Sequence, residues 1–333
     1  MRKISLQEIL PSLISMSIKT CWDDHMDVLI VGSLAYDSLE TPLGSRDDEL
    51  GGSASYGGFS AAFHNRRLSG NGIGLVGVIG DDFKTEHLDW YKDAGLEISG
   101  IESIEGETFR WKGSYHGDMA EAVTHETHLN VFEHFQPKVP TSHTKPKVLM
   151  CANLHPNLQS SVISQTTAGR VSILDSMNLW IDIAHDELLE VIQKVDIVVL
   201  NDGEVRMLAS DDNLIRAAQS VLAMKKSGIL IVKKGEHGVL ALHPDGMISI
   251  PSYPTLDLTD PTGCGDSFAG AMAQFLSQGN GEVSREELAE SLVHATVTAS
   301  FTIERFGTER IRNLTPEEYD SRLNDFRLIS RTL

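Results

Sequence analysis

Cysteine is scarce in this chain. Three occur in 333 residues, Cys21, Cys151 and Cys264. A set so small and odd in number makes no disulfide framework and suits a reducing compartment, so the cytoplasm is the expected location. Positive charge is also in short supply, with 28 Lys and Arg against 47 Asp and Glu and a formal charge of −19. That balance argues against nucleic acid or an anionic membrane as a partner, because phosphate backbones are held mainly by Lys and Arg. It leaves room for a small phosphate ligand in a local basic pocket. Apolar runs are short, and none approaches the length of about 18 residues that a membrane-spanning helix needs. What remains, 41% apolar and 23% charged residues, is a globular mixture long enough for two domains or one elaborated α/β domain.

The first 26 residues stand apart as an N-terminal extension. Leu6, Ile9, Leu10, Leu13 and Ile14 follow a helical spacing that Pro11 interrupts. Gln7, Glu8 and Pro11 spoil the continuous apolar centre of a secretory signal. From Asp27 onward apolar runs recur at 27–33, 73–78, 148–152, 171–174, 197–200 and 229–232, the pattern of parallel strands buried on both faces. Between several of them lie amphipathic helical stretches, the clearest over 213–226 with Asn213 as N-cap. Strands alternating with helices predict a layered sheet with helices on both faces. Residues 36–52 and 108–140 break the rhythm and read as strands or loops outside the main sheet.

The most informative stretch is Asp257-Leu-Thr-Asp-Pro-Thr-Gly-Cys-Gly-Asp-Ser-Phe-Ala-Gly-Ala271. Gly263 and Gly265 bracket Cys264 directly before a helical run. Glycines there let backbone N–H groups converge where a helix N-terminus adds positive potential, which makes an anion hole. Asp266 inside that hole would repel an anion, and is suited instead to take a proton from a hydroxyl attacking a bound phosphoryl group. Taken alone, Gly-x-Gly-Asp is equally a glycine turn whose aspartate caps the next helix.

The segment Asp260-Pro-Thr-Gly-Cys-Gly-Asp266 resembles the C-terminal signature Asp-Thr-x-Gly-Ala-Gly-Asp of the ribokinase-like (PfkB) carbohydrate kinases. Further landmarks follow in that family's order: Gly32-Ser-Leu-Ala-Tyr-Asp37, Gly51-Gly-Ser-Ala-Ser-Tyr56, residues 75–82, Asn201-Asp-Gly-Glu204 and Lys233-Lys-Gly-Glu-His-Gly238. The resemblance runs from Asp27 to about Phe306. It implies a three-layer α/β/α sandwich with a mostly parallel central sheet and a small β-strand lid, one kinase domain over 27–333 with lid segments near 36–52 and 103–140.

The resemblance also implies an enzyme, an ATP-dependent carbohydrate kinase acting on a hydroxyl of a small sugar or polyol. Asp266 would be the base, and the N–H groups of Gly263, Cys264 and Gly265 would stabilise the transferred phosphoryl. Asp37, Gly52, Tyr56 and the lid residue Arg110 would bind the acceptor. Asn201, Glu204, Lys234, Gly235, Gly238 and His294 would line the ATP site, with Asn178 nearby. Glu204 would act on Mg²⁺ through water, since Mg²⁺ keeps several waters and takes few carboxylates. Asp260 and the Thr262 carbonyl would hold a monovalent cation, K⁺, together with residues near Gly307; by their own composition residues 304–308 read as solvated surface. Lids in this family often pair, which implies a homodimer.

Two departures from the family pattern stand out. Cys264 occupies a place where alanine is usual, and a thiol at a helix N-terminus is expected to have a lowered pKa. Tyr56 stands where several sugar kinases carry an asparagine, so the pocket gains an aromatic face and one hydroxyl. That leaves room for a nucleoside, which makes a nucleoside kinase the alternative; a ligand-binding protein that has lost turnover is the rival from another class. The five histidines from His116 to His143 lack metal-ligand spacing and read as surface residues.

Overall fold

Each of the six apolar runs becomes a strand of one sheet. The computed structural model describes residues 26–225 and 228–330, so the expected N-terminal extension lies outside the described residues apart from Met26. Thirteen strands are formed among them: β1 (Val28–Val31), β2 (Ala35–Thr41), β3 (Gly44–Gly51), β4 (Ile73–Ile79), β5 (Leu96–Ser103), β6 (Phe109–Tyr115), β7 (Ala122–His128), β8 (Val148–Cys151), β9 (Val171–Asp175), β10 (Ile197–Asn201), β11 (Ile229–Lys233), β12 (Val239–His243) and β13 (Gly246–Ile250). The helices are α1 (Ser53–Leu68), α2 (Thr85–Asp93), α3 (Pro156–Gln165), α4 (Asn178–Ile183), α5 (His185–Ile192), α6 (Asp202–Ala209), α7 (Leu214–Ala223), α8 (Cys264–Leu276), α9 (Arg285–Thr302), α10 (Glu309–Arg312) and α11 (Pro316–Ile329).

Nine strands make the main sheet in the order β13-β12-β11-β10-β9-β8-β1-β4-β5. Neighbours from β11 through β5 are parallel, and β12–β13 is an antiparallel hairpin added at one edge. Alternation along each strand feeds two cores. Val28 and Ile30 face the layer that contains α1, α8 and α9, whereas Leu29 and Val31 face the layer of α3, α5, α6 and α7. The result is the expected three-layer sandwich.

Local sequence accounts for the placement of three helices. Helix α7 starts where Asn213 caps it, its side chain accepting the Arg216 N–H. Helix α1 is buried from Ser53 through His64, and Arg66 and Arg67 in its last turn complement the negative end of the helix. Helix α8 meets α1 through backbone, since a Cβ on Gly270 would fall 2.2 Å from the Gly57 carbonyl.

The remaining strands form a second, mixed sheet in the order β3-β2-β6-β7, built from the two segments that break the α/β rhythm. It is the small lid sheet. It grows out of the carboxyl end of β1, and β1 lies between β8 and β4, where the strand order reverses. In open parallel sheets ligands bind outside the carboxyl ends of strands at such a reversal.

Candidate active site

Residues from β2, β9, β10 and β11 and from the starts of α1, α6 and α8 converge at that edge. Helix α8 is entered through Gly263, which adopts the left-handed conformation with φ 71° and ψ 2°. A side chain is excluded there for a second reason, because a Cβ would lie 2.2 Å from the Tyr56 ring. The turn therefore rests on the face of that phenol. Asp266 lies in the first helical turn, half-buried. Burial above all, and then the Asp175 carboxylate, push its pKa far above the usual carboxylate range, against the pull of Lys233. A base so poised holds its proton loosely near neutral pH, the condition general-base catalysis needs.

Of the three N–H groups expected to face a phosphoryl group, that of Cys264 is directed elsewhere: it donates to the Pro261 carbonyl at 3.2 Å and closes the turn. Its thiol also departs from expectation. Burial pushes the Cys264 pKa up to about 11 despite Lys233 nearby, and the sulfur approaches the Ala299 carbonyl at 3.8 Å. Desolvation of the thiolate outweighs the helix terminus.

On the side of the lid sheet Asp37 is buried, packed onto Gly51 so closely that a Cβ there would sit 1.9 Å from its Oδ2. Burial, then Asp260 and Asp266, raise its pKa to about 8, with the Gly52 N–H opposing. Tyr56 is fully buried, and its hydroxyl has no hydrogen-bond partner among the described residues. Burial and the surrounding Asp260, Asp37, Tyr115 and Asp266 hold that phenol well above its ordinary pKa. Gly52 is the N-cap of α1 with φ 91°. The lid touches this chamber through Tyr115, whose hydroxyl accepts from Thr262 Oγ1 at 3.2 Å.

Asp260 is buried and accepts from the Thr262 N–H (2.9 Å) and the Gly307 N–H (3.0 Å). The reading of residues 304–308 as solvated surface is corrected by this tie. Glu304, Phe306 and Thr308 are buried, and Glu304 binds Arg310 and Arg322.

Across the sheet edge Asn201 and Glu204 form a reciprocal cap on α6. The Asn201 side chain accepts the Glu204 N–H (2.8 Å), and Glu204 Oε2 accepts the Asn201 N–H (2.7 Å). Burial lifts Glu204 to about 7, with Lys233 pulling it down and Asp175 raising it. Lys233, at the end of β11, reaches Asp175, at the end of β9, with 3.0 and 3.1 Å contacts to the two carboxylate oxygens. Lys234, Gly235 and Gly238 form the tight turn between β11 and β12, in which the Lys234 N–H donates to the Gly238 carbonyl at 2.8 Å.

Three expected site residues lie elsewhere or are already engaged. His294 belongs to an aromatic cluster, its ring stacked on Phe275 at 3.8 Å and bonded to the Tyr319 hydroxyl. Phe275 sits eleven residues along α8 from Cys264, about 16 Å from the anion loop at 1.5 Å per residue. Asn178 is exposed at the start of α4. Arg110 is held by two carboxylates, Asp82 of the body (2.6 Å) and Asp48 of the lid, with its guanidinium 5.1 Å from the Tyr36 ring centre. It latches lid to body.

The sequence reading passed over Asp175, Lys233 and Tyr115. A signal existed for the first two, since each is a charged residue ending a largely apolar parallel strand at the edge where ligands bind. Tyr115 carried none beyond its place in a strand-like stretch.

Among the described residues no cluster of three or more His, Cys, Asp or Glu could hold a metal by itself. No described helix is long and apolar enough to cross a membrane.

Residues 51–313 match the family described as pfkB family carbohydrate kinase. The chain is 29% identical over 262 residues to cytidine kinase of Thermococcus kodakarensis, a match spanning 76% of this chain and 90% of that protein. The nucleoside kinase of Methanocaldococcus jannaschii, an archaeal member of the ribokinase family, shares the fold with a TM-score of 0.71 at 20% identity, covering 90% of this chain and 99% of that one. The nucleoside kinase of Burkholderia thailandensis, solved in complex with ADP-inosine, gives a TM-score of 0.71 at 19% identity over 90% of this chain and 95% of that one.

Proposed function

Since the chain belongs to the pfkB family of carbohydrate kinases, we propose that it is an ATP-dependent nucleoside kinase that phosphorylates a hydroxyl of the nucleoside's sugar. The observation that carries the choice of acceptor is the match to a cytidine kinase along nearly all of that enzyme's length. Tyr56 supports it, a buried phenol with an unbonded hydroxyl where several sugar kinases carry a compact amide. The reading with a free sugar or polyol becomes the secondary one.

In this reading the nucleoside lies beneath the lid, with its sugar hydroxyls against Asp37 and Tyr56. A carboxylate can accept hydrogen bonds from two hydroxyls at once, and that is the role of Asp37 toward the sugar. Asp266 takes the proton of the attacking hydroxyl as the oxygen forms its bond to the γ-phosphorus and the bond to the ADP oxygen breaks. The N–H groups of Gly263 and Gly265 and the α8 terminus stabilise the charge on the transferred phosphoryl. Asn201 and Glu204 orient water around the phosphates, and the turn of Lys234, Gly235 and Gly238 flanks the nucleotide. Mg²⁺, when bound, neutralises phosphate charge. Asp260, through its tie to Gly307, fixes the anion loop; a K⁺ ion would add to that tie through the Thr262 carbonyl.

The test is ADP release from ATP·Mg²⁺ with cytidine, uridine, inosine, adenosine, ribose and fructose, with Asp266→Asn alongside. Turnover on nucleosides that falls about 10²–10⁴-fold in the variant is the expected result. Preference for a free sugar would establish the secondary reading. Thermal shifts without product would mark a binding protein.

A further inference from the structure

Lys233 is an odd residue for its place. It ends a parallel strand whose other members are apolar, and its side chain is only 20% exposed. A buried ion pair is a weak source of stability, often matched by well-packed apolar residues, so the Lys233–Asp175 contact asks for another explanation.

Geometry supplies one. Asp175 ends β9 and Lys233 ends β11, so the lysine reaches across the end of β10 and carries its ammonium to the middle of the carboxyl edge. There it lies over the anion loop: a Cβ built on Gly265 would be 3.0 Å from Nζ and 3.7 Å from Cδ and Cε. Burial works against the charge, yet the carboxylates of Asp175, Glu204 and Asp266 together hold the ammonium above its ordinary pKa. Three carboxylates therefore surround the spot where a phosphoryl group must arrive, and one ammonium offsets them.

We propose that Lys233 is a catalytic residue: its ammonium, held by Asp175 over Gly265, contacts the phosphoryl group in the 263–265 loop and neutralises charge that develops during transfer. Lysine is suited to this as a compact point charge on a flexible stem. The assignment rests on the kinase reading of the same site. Atoms balance without a proton from Lys233, since Asp266 takes the acceptor's proton and ADP leaves with the bonding pair.

The experiment compares Lys233→Gln, Lys233→Met and Lys233→Arg with the wild-type chain, measuring kcat, nucleotide KM and Tm. Glutamine can still hydrogen-bond Asp175 and so keeps the tie between strands while losing the charge. Both neutral variants are expected to lose about 10²–10³ in kcat, the effect of removing one preorganised charge-stabilising donor. Arginine should recover part of that loss. If Lys233 is only a strand tie, Lys233→Gln stays within threefold of wild type in kcat whatever its Tm, and the proposal is overturned. Glutamine decides the matter alone should methionine fail to fold. A wild-type chain with no turnover on any acceptor would instead overturn the kinase reading, and this inference with it.

Discussion

Tyr56→Phe should make the ligand-free protein more stable while making it a poorer enzyme. The Tyr56 hydroxyl is buried and has no hydrogen-bond partner among the described residues. A hydroxyl desolvated without a partner carries a penalty of roughly 1–3 kcal/mol. Phenylalanine removes it and keeps the ring on which Gly263 rests, so a net gain of about 1 kcal/mol is reasonable. In a chain of 333 residues that corresponds to roughly 1.5 °C in Tm. In the proposed reading the same hydroxyl bonds the acceptor, and one neutral hydrogen bond is worth about 0.5–1.5 kcal/mol. Acceptor KM should therefore rise roughly two- to tenfold. Differential scanning fluorimetry without ligand, and acceptor titrations at saturating ATP·Mg²⁺, read the two effects separately. A lower Tm with an unchanged acceptor KM would refute the reasoning on both counts, since the hydroxyl would then be satisfied within the fold and idle in binding.

Three further outcomes can be checked. Between about pH 6.5 and 8 the ligand-free protein should lose stability as pH rises. Asp37 (to about 8) and Glu204 (to about 7) have raised pKa values, so the folded state binds protons that the unfolded chain has released. Burial lowers the pKa of His64, His87, His143 and His294, so their protonation on unfolding opposes this slope at the acid end of the window and fades above about pH 7. A Tm series should slope downward and flatten in Asp37→Asn; an equal slope in that variant would acquit Asp37. Activity should decline on the acid side with a midpoint above that of an ordinary carboxylate, because Asp266 must be ionised to act and its pKa is raised; a kcat/KM profile still level at pH 5 would contradict this. Arg110→Met should raise acceptor KM severalfold by releasing the lid from Asp82 while shifting stability by less than about 1 kcal/mol, as partly exposed ion pairs are worth little; an unchanged KM would mean the latch has no part in binding.

The parallel strands were legible because burial on both faces leaves a continuous apolar run, as in Val28–Val31 and Ile197–Leu200. Strand β5, Leu96–Ser103, was not, because its exposed Glu97 and Ser99 make it look like a loop. The edge hairpin β12–β13 escaped for a similar reason, one of its strands being mostly exposed. Within the site the glycine turn before α8 was legible through the whole segment from Asp260 to Asp266, which resembles the family signature, rather than through Gly-x-Gly-Asp alone. What pattern could not show was competition for the same atoms. The Cys264 N–H serves Pro261, Arg110 serves Asp82 and Asp48, and His294 faces Phe275 rather than the sheet edge. The engagements of Arg110 and His294 join residues apart in sequence, and all three appear only once the chain is folded.

The order in which the site's residues occur along the chain has an evolutionary consequence. Asp37, Tyr56, Arg110 and Tyr115 all precede residue 116, whereas Asp175, Asn201, Glu204 and Lys233 fall within 175–233. The glycine turn at 263–265 meets both groups, touching Tyr56 on one side and Lys233 on the other. On the proposed reading, point changes in the first third of the gene would redirect the protein to a new acceptor while the apparatus that handles phosphate is inherited whole. Paralogues on this fold should accordingly diverge fastest in that third, and grafting it between two of them should move acceptor preference without altering the demand for nucleotide.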